Sequence, residues 1–371
     1  MGKEEIVCLL ALNKILNYNG KAAIELLSLT GSAKGVFELS TDQLATIFNN
    51  SSRYISQIKD QKNIKEAEHE YEWVVSQGIE LLCPTDPSSG YPRSLLNCED
   101  YPILLYKKGA LKLNNSPVIS VVGTRRATAS GIKLCENIVQ EISELTPEAV
   151  IVSGLAYGID ITAHRAALKY GLATVAVLGN SIDKIYPVAH SSTAKEICKS
   201  GAVISEFPRS SQGHKINFLQ RNRIIAGICD ALLVVESDDS GGSMITATLA
   251  SSYGKEIFAV PGRLSDPRSR GCNKLIAENR ASLFLSVPSF LESCRIPFMK
   301  RAKEEQREII FGSEGNDKEK ILVALTSERE LSIDQLSINT DIEHRIISTY
   351  LLELELEGKI IALPGKRYTL S

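Results

Sequence analysis

The sequence predicts an α/β fold whose main domain is a doubly wound parallel sheet, with a small helical domain before it and a winged-helix domain after it. Two observations predict this arrangement. Between residues 118 and 260, six short apolar runs rich in β-branched residues alternate with segments of helix length, which is the pattern of parallel strands joined by crossover helices. Residues 318–371 instead show three helical patterns followed by a β-hairpin pattern. With 371 residues, 43% of them hydrophobic, the chain is long enough for two or three domains.

Residues 1–80 predict the small helical domain. An amphipathic helix is expected over residues 5–16, and Gly20 separates it from a second helix. Ser40 predicts the N-cap of a further helix, because a hydroxyl at that position accepts a hydrogen bond from a free N–H of the first turn. A long helix over residues 64–78 leads into the sheet domain.

Residues 81–298 predict the sheet domain. The strands expected in its core are residues 118–122, 149–152, 173–178, 202–204, 231–235 and 257–260. Apolar runs of this kind are buried on both faces in a parallel sheet. Residues 81–110 contain several prolines and glycines, and they indicate loops with one extra strand added to the sheet.

Two loops that follow strands are candidates for anion binding. Gly123-Thr124-Arg125 follows the first core strand, and Ser153-Gly154 begins the loop after the second. Each loop precedes a predicted helix, whose N–H groups and dipole favour a negative charge, and open sheets bind ligands beyond their carboxyl ends. Neither loop has the dinucleotide fingerprint G-x-G-x-x-G, and the chain has no G-x-x-x-x-G-K-[ST] loop. An arginine directly after the glycine therefore indicates a phosphate outside the sheet rather than a buried pyrophosphate.

The start of a later predicted helix joins cations to an aromatic residue. Lys215 and Phe218 precede the run Arg221-Asn222-Arg223. Aromatic faces stack on bases and cations follow phosphates, so this composition is typical of a surface that binds a flexible polyanion. The net charge of the chain is only -2, so attraction for phosphate has to be local. The alternative is an ordinary solvated helix start; the candidate anion loops in the same domain favour the polyanion.

These motifs together resemble the DprA/Smf family of DNA-processing proteins. The matching stretches are Gly123-Thr124-Arg125, Ser153 to Asp160, Arg221 to Gly227, Ser240-Gly241-Gly242-Ser243 with Thr246, Ala259 to Gly262, and Gly271 to Ile276. The resemblance implies a bacterial cytoplasmic protein, not an enzyme, with an extended Rossmann-like domain and a helical domain similar to a SAM or helix-hairpin-helix bundle. It also implies single-stranded DNA binding in natural transformation, protection of incoming strands, loading of the RecA recombinase, and a homodimer.

The same resemblance implies a DNA site at the strand ends. The cation after the first glycine turn is Arg125, and the basic and aromatic contacts of the later loop fall on Lys215 and Phe218. The full set of expected DNA-binding residues is Gly123, Thr124, Arg125, Ser153, Gly154, Lys215, Phe218, Arg221, Asn222 and Arg223. The homodimer is expected to form through the late part of the sheet domain, around the apolar residues 283–291.

The last part of the chain predicts a linker and a winged helix. Residues 299–317 are polar and contain glycine, which is typical of a linker, and residues 318–371 form the winged-helix pattern. A winged helix usually binds duplex DNA through its third helix. Here that helix, which begins near Asp341, carries four glutamates against Arg345 alone. Such a helix repels phosphate, so we expect a protein-interaction or packing role.

A catalytic function has one sequence candidate. Asp160 and His164 lie four residues apart on a predicted helix and therefore share a face. This pattern suits an acid/base or metal pair, but we interpret it as an aspartate that hydrogen-bonds a structural histidine. No G-x-S-x-G motif occurs, and five histidines are scattered along the chain. We therefore expect no catalytic residue, no metal and no cofactor.

Two other functions stay open from the sequence. The first is a nucleotide-processing enzyme similar to the LOG/lysine-decarboxylase-like phosphoribohydrolases, which share a related core and a proline-glycine-glycine loop. In this chain Arg263 follows Pro261-Gly262 and disrupts that loop. The second is a structural dimer scaffold that binds no DNA.

Eight cysteines are scattered without a C-x-x-C pair, which indicates free thiols in a reducing compartment. The first residues are charged rather than apolar, and no apolar run reaches the roughly 18 residues of a membrane span. A cytoplasmic protein with no membrane segment is expected.

Overall fold

The computed structural model describes residues 1–209, 211, 213–299, 317–328 and 330–371. The chain divides into two units, Met1–Lys300 and Arg301–Ser371. The predicted α/β fold class, with a mostly parallel sheet, is confirmed. Apart from its two end residues, the predicted linker at 299–317 lies outside the described residues.

The first unit begins with six helices. They are α1 (Lys3–Ile15), α2 (Gly20–Thr30), α3 (Ala33–Glu38), α4 (Thr41–Ile47), α5 (Ser52–Lys59) and α6 (Gln61–Ser76). Ser40 caps α4 as the sequence predicted, in a capping box with Gln43. The buried face of α1, with Leu9 and Leu12, belongs to a hydrophobic cluster that also contains sheet residues such as Val203. The helical region and one end of the sheet therefore share a core, and a domain boundary at residue 80 stays a prediction.

A nine-stranded sheet forms the centre of this unit within the described residues. Its strands are β1 (Glu80–Leu82), β2 (Leu105–Lys108), β3 (Val118–Val122), β4 (Val150–Ser153), β5 (Ala173–Val177), β6 (Ala202–Ser205), β7 (Ala231–Val234), β8 (Glu256–Ala259) and β9 (Ser282–Leu283). The spatial order is β1-β2-β6-β5-β4-β3-β7-β8-β9. Strands β3 to β9 are parallel, and the six predicted core strands are all present. Where the sequence predicted one extra strand before residue 110, the structure has two, β1 and β2, paired antiparallel.

Helices cover both faces of the sheet. They are α7 (Ala129–Leu145), α8 (Ile159–Lys169), α9 (Ser191–Ser200), α10 (Lys215–Ile228), α11 (Gly242–Ser252), α12 (Arg270–Ala277) and α13 (Val287–Ser293). Helices α10, α11 and α12 bury apolar side chains on one face, and α7, α8 and α13 do so on the other. The strand order runs from β3 to β6 in one direction and resumes at β7 on the other side of β3. This reversal creates a switch point at the carboxyl ends of β3 and β7, where open α/β sheets bind their ligands.

The second unit contains α14 (Asp317–Ser327), β10 (Leu331–Ser332), α15 (Ile333–Thr340), α16 (His344–Leu356), β11 (Ile360–Leu363) and β12 (Arg367–Leu370). The three strands form an antiparallel sheet in the order β10-β12-β11. Ile321, Leu336 and Ile347 contribute to a separate hydrophobic core. The helix–helix–helix–hairpin order that the sequence predicted is confirmed. Across the described part of both units, no helix is long and apolar enough to cross a membrane.

Candidate nucleic-acid interface

The loop after β3 is held by its backbone and presents two exposed arginines, Arg125 and Arg126. The N–H of Thr124 donates to the carbonyl of Glu236 at 2.7 Å. A Cβ added to Gly123 would lie 2.5 Å from Ile159 and 2.9 Å from that same carbonyl oxygen, so this position requires glycine. Thr124 is buried, whereas Arg125 is exposed. The glycine turn therefore brings the chain close to β7 and leaves the Arg125 guanidinium in solvent.

The helix N-terminus that follows this loop already holds an anion, the carboxylate of Glu236. It accepts hydrogen bonds from the N–H of Thr128 at 2.9 Å and from the Thr128 hydroxyl at 2.5 Å. Gly131, in the first turn of α7, lies so close that an added Cβ would be 2.2 Å from the carboxyl carbon. A side chain of the protein therefore stands at the N-terminus of α7, and binding of a ligand phosphate by the N–H groups of this helix stays a prediction.

The loop after β4 also has a carboxylate beside it. Asp160, in the first turn of α8, accepts a hydrogen bond from the N–H of Gly154 at 3.2 Å. Burial raises the pKa of Asp160, and the nearby Arg221 charge and backbone donors oppose that rise. Gly158 has a φ of 77°, and an added Cβ would lie 2.1 Å from the carbonyl oxygen of Thr124. The two loops therefore touch at a glycine, and the second one also carries its own carboxylate.

Arg221 holds the ends of β4 and β5 together. Its side chain is buried, and Nη1 donates to the carbonyl of Gly154 at 2.7 Å and to the carbonyl of Val177. A Cβ added to Gly154 would lie 2.3 Å from that nitrogen. Burial lowers the pKa of Arg221 to about 10, and the charge of Asp160 opposes the change. The guanidinium binds protein atoms, and Gly154 is the residue that leaves room for it.

The neighbouring residues of α10 also face inward. Nη2 of Arg223 donates to the buried carboxylate of Glu206, and Nε lies 4.0 Å from Asp100. Burial raises the pKa of Glu206, and the Arg223 charge opposes that rise. The Asn222 side chain donates to the carbonyl of Gly242 at 3.4 Å, which links α10 to α11. These side chains are buried beneath the surface, where they hold neighbouring elements in place, and they do not present charge to solvent.

Of the expected site residues, the structure leaves three side chains at the surface. Arg125 and Lys215 are exposed, and Phe218 is half-buried. Those that it buries or holds in the backbone framework are Gly123, Thr124, Ser153, Gly154, Arg221, Asn222 and Arg223. Gly123 is the least enclosed of these, and the Ser153 hydroxyl donates to the carbonyl of Val121 at 2.6 Å.

Phe218 lies against two glycines. A Cβ added to Gly179 would be 2.5 Å from its ring, and one added to Gly213 would be 2.9 Å from it. The ring centroid of Tyr186 lies 5.6 Å from that of Phe218. Tyr186 is 58% exposed and Tyr157 is 51% exposed, and neither is among the DNA-binding residues expected from the sequence. Both residues lie in loops that follow strands, and this position is the sequence feature that could have identified them as candidate site residues.

The Asp160–His164 pair is not what the sequence interpretation expected. Nδ1 of His164 lies 2.7 Å from the hydroxyl of Thr174, which itself donates to the carbonyl of Ile151. Because the hydroxyl proton is used there, Nδ1–H of His164 is the donor. Burial lowers the pKa of His164 to about 3, so the ring is neutral. The histidine is structural, as expected, but its partner is Thr174, and Asp160 binds backbone instead.

The thiols are protonated and the metal-binding side chains form no cluster within the described residues. All eight cysteines are free, and burial raises the pKa of each of them. A raised pKa keeps a thiol protonated and inert. No group of three or more His, Cys, Asp or Glu side chains in the described ranges has an arrangement that could hold a metal ion.

Two family models match the chain. The model for DNA recombination-mediator protein A matches residues 81–295, and the model for the DprA winged helix domain matches residues 312–366. The first match includes the whole parallel part of the sheet and the loops described above.

Individual proteins agree with these matches. The chain is 42% identical over 188 residues to the DNA processing protein DprA of Streptococcus pneumoniae, a match that covers 51% of this chain and 66% of that protein. The solved structure of DprA from Streptococcus pneumoniae has a TM-score of 0.67 at 32% identity and covers 81% of this chain and 99% of that one. DNA processing protein A from Helicobacter pylori, whose structure is described for its single-stranded DNA binding mode, has a TM-score of 0.51 at 31% identity over 56% of this chain and 94% of that one.

The resemblance that the loop motifs indicated is thereby confirmed. Because the first family model covers more than half of the chain, the protein belongs to the DNA recombination-mediator protein A family, the DprA/Smf family of DNA-processing proteins.

Proposed function

We propose that this protein binds single-stranded DNA at the carboxyl edge of its sheet, with Arg125 and Lys215 on phosphates and Phe218 on a base. The observation that carries the proposal is that these three side chains reach the surface, while the Glu236 carboxylate fills the N-terminus of α7 and the Asp160 carboxylate accepts a hydrogen bond from the loop N–H of Gly154. With those N–H groups occupied, attraction for phosphate comes from side-chain cations, which suits a flexible chain of phosphates. The single-stranded DNA binding mode described for the Helicobacter pylori relative supports the same conclusion.

The remaining expected residues have a different role in this proposal. Arg221, Asn222 and Arg223 hold the framework under the surface, Gly154 leaves room for Arg221, and the Ser153 hydroxyl ties the end of β4 to β3. Gly123 and Thr124 are included as backbone neighbours of Arg125. The proposed direct side-chain contacts are therefore three, and the other seven residues give these contacts their geometry.

A stacking aromatic and separated cations favour a single strand over a duplex. In a duplex the faces of the bases are stacked on one another and cannot lie on Phe218. Stacking on an aromatic side chain is worth roughly 1–3 kcal/mol per base and tolerates any sequence. We therefore propose binding that depends little on sequence and weakens as the salt concentration rises.

The finer biological role rests on the family resemblance. We propose that the protein protects incoming strands in the cytoplasm, helps to load RecA, and acts as a homodimer. Exposed apolar residues at and just after the edge strand β9 support the dimer, because Leu283 is 41% and Leu285 is 74% exposed. Two sites on one strand raise avidity without new contacts. A monomer mass by light scattering would contradict a stable dimer.

No observation favours the nucleotide-processing alternative. The side chain of Asn273 donates to the carbonyl of Gly262 at 2.9 Å and accepts from its N–H at 3.1 Å. An added Cβ at Gly262 would lie 2.0 Å from the hydroxyl of Ser269. The backbone of the proline-glycine turn is therefore occupied by the protein's own side chains, as at Glu236 and Asp160, and we propose a binding protein without catalytic activity.

The test is a fluorescence-anisotropy titration of the full chain with a labelled oligonucleotide, single-stranded in one series and annealed to its complement in the other. We expect tighter binding to the single strand and weaker binding as salt increases. Binding that is independent of salt, or that prefers the duplex, would contradict the proposal. Release of a free base from nucleoside monophosphates by the purified protein would instead support the enzyme.

A further inference from the structure

We infer that Tyr186 forms a second base-stacking position next to Phe218, so that the site takes two unpaired bases side by side. This inference rests on the proposed single-strand binding and assigns a residue that the loop motifs did not include. Tyr186 stands in the long connection between β5 and α9. That connection starts at the carboxyl edge of the sheet, beside the loop that Arg221 holds in place.

The exposed aromatic surface belongs mainly to Tyr186. Its side chain is 58% exposed, whereas Phe218 is half-buried between Gly179 and Gly213. The centroids of the two rings are 5.6 Å apart, and the ring planes are inclined by 49°. An inclined pair offers two faces in different directions, so that each ring can take a separate base. A tyrosine with most of its surface in water and one ring as its neighbour gains little from folding, which favours a role in binding.

The loop that carries Tyr186 is held by Asn180. The Asn180 amide nitrogen donates to the carbonyl of Lys184 and to that of Ser181 at 3.1 Å, and the Ser205 hydroxyl donates to the Asn180 carbonyl at 2.6 Å. These bonds fix which way the amide points, because its NH2 group faces two carbonyls. Asn180 is 3% exposed, and its Oδ1 is buried with no hydrogen-bond partner among the described residues.

The same residues line a cavity. Its volume is about 450 Å³, and its walls include Asn180, Lys184, Ile185, Tyr186 and Val188. Lys184 is exposed and Val188 is 77% exposed, so the cavity combines an apolar wall with a cation at its edge. An unpaired nucleotide has the matching chemistry: an apolar base face for the wall and a phosphate nearby for the lysine.

The test compares variants of the full chain in an anisotropy titration with labelled oligodeoxythymidine. We expect Tyr186→Ala to weaken binding by roughly fivefold to a hundredfold with little change in the salt dependence, because a stacking contact carries no charge. Tyr186→Phe keeps the ring and should restore most of the lost affinity. Tyr170→Ala, which truncates a tyrosine that ends α8 at the opposite edge of the sheet, should bind like the wild type.

A second measurement reads stacking directly. The chain has a single tryptophan, Trp73, so Trp73→Phe combined with Tyr186→Trp places a unique fluorophore at the proposed position. Oligodeoxythymidine should quench it, whereas inorganic polyphosphate, which has no bases, should not. The inference would be overturned if folded Tyr186→Ala bound oligodeoxythymidine as tightly as the wild type while Arg125→Ala bound it more weakly. That result would leave the proposed function standing. Absence of single-strand binding in the wild-type protein would overturn both.

Discussion

The carboxylate of Glu236 accepts hydrogen bonds from both the backbone N–H and the hydroxyl of Thr128, at 2.9 and 2.5 Å, and so fills the N-terminus of α7. In nucleotide-binding α/β proteins this is the place where a phosphate lies. Here the protein supplies the negative charge itself. In the proposed function a ligand phosphate is therefore left to the exposed side chains, chiefly Arg125 and Lys215.

The first prediction tests this internal anion. Glu236→Ala removes both the charge and the side chain that fills the helix N-terminus, and should lower the free energy of unfolding by about 1 kcal/mol. Inorganic phosphate should stabilise the variant more than the wild type, because it can take the vacated place. Urea unfolding with and without phosphate measures both effects. Asp239→Asn, an exposed acid in the following loop, is the control, and an equal response of all three proteins would contradict the assignment.

The second prediction concerns the phosphate contacts. Arg125→Ala and Lys215→Ala should each weaken single-strand binding and flatten the slope of log affinity against log salt by about 0.7, the share of one phosphate on a single strand. Lys21→Ala, an exposed lysine on α2, should change neither quantity. Titrations at three or more salt concentrations give the slopes.

Phe218→Ala provides the contrast within the same experiment. Loss of the Phe218 ring should weaken the free energy of single-strand binding by roughly 1–3 kcal/mol and leave the salt slope unchanged, because stacking does not release counterions. A flattened slope for Phe218→Ala, or a wild-type slope for the Arg125 and Lys215 variants, would place the phosphate contacts elsewhere.

The third prediction tests whether the buried arginine Arg223 stabilises the fold, in contrast to an exposed arginine. Arg223→Ala leaves the Glu206 carboxylate buried without its partner and should lower the free energy of unfolding by roughly 3–5 kcal/mol. The double variant Arg223→Leu, Glu206→Leu should be more stable than the single one, because no charge stays buried. Arg126→Ala, an exposed arginine beside Arg125, is the control for stability. If Arg223→Ala unfolds like the wild type, the ion pair does not support α10.

The fourth prediction is a pH dependence that originates at His164. Burial holds its pKa at about 3 in the folded protein, below the usual value of 6.5. The unfolded chain therefore binds the proton first, and stability is fully present above pH 6.5 and declines as the pH falls towards 3. His164→Gln should remove a decline on the order of 1 kcal/mol per pH unit in this window. Urea midpoints at several pH values measure it, with the exposed His69→Gln as control. Parallel pH profiles for wild type and His164→Gln would contradict the prediction.

The strands were predictable from the sequence because parallel strands are buried on both faces. Val118–Val122 and Ala231–Val234 therefore appear as continuous apolar runs that need no knowledge of their neighbours. The local exposure of Arg125 likewise followed from its place after a glycine turn.

The inward direction of Arg221 and Arg223 could not be predicted in the same way. Arg221 binds the carbonyl of Gly154, 67 residues away, and Arg223 binds Glu206, 17 residues away. The local sequence identifies a cationic residue but not the hydrogen-bond acceptor that the fold places beside it. Tyr186 was missed for the related reason that an aromatic residue in an irregular loop has no periodicity, whereas the structure distinguishes it by its exposure and its contact with Phe218.

The last prediction separates the C-terminal unit from single-strand binding. Truncation after residue 300 removes the whole of that unit and should leave affinity for oligodeoxythymidine within about threefold of the full chain, which is under 1 kcal/mol. The reason is electrostatic: residues 317–371 carry ten Asp or Glu and seven Lys or Arg. One of those cations, Lys318, is paired with Glu353 at 2.6 Å and Glu357 at 3.3 Å on α16. A unit of that net charge adds little attraction for phosphate, whatever its winged-helix fold suggests. Anisotropy titrations of both forms, after circular dichroism has shown that the shorter one is folded, measure the difference. A loss of more than about tenfold, or 1.4 kcal/mol, would make the C-terminal unit part of the DNA site and refute the charge argument.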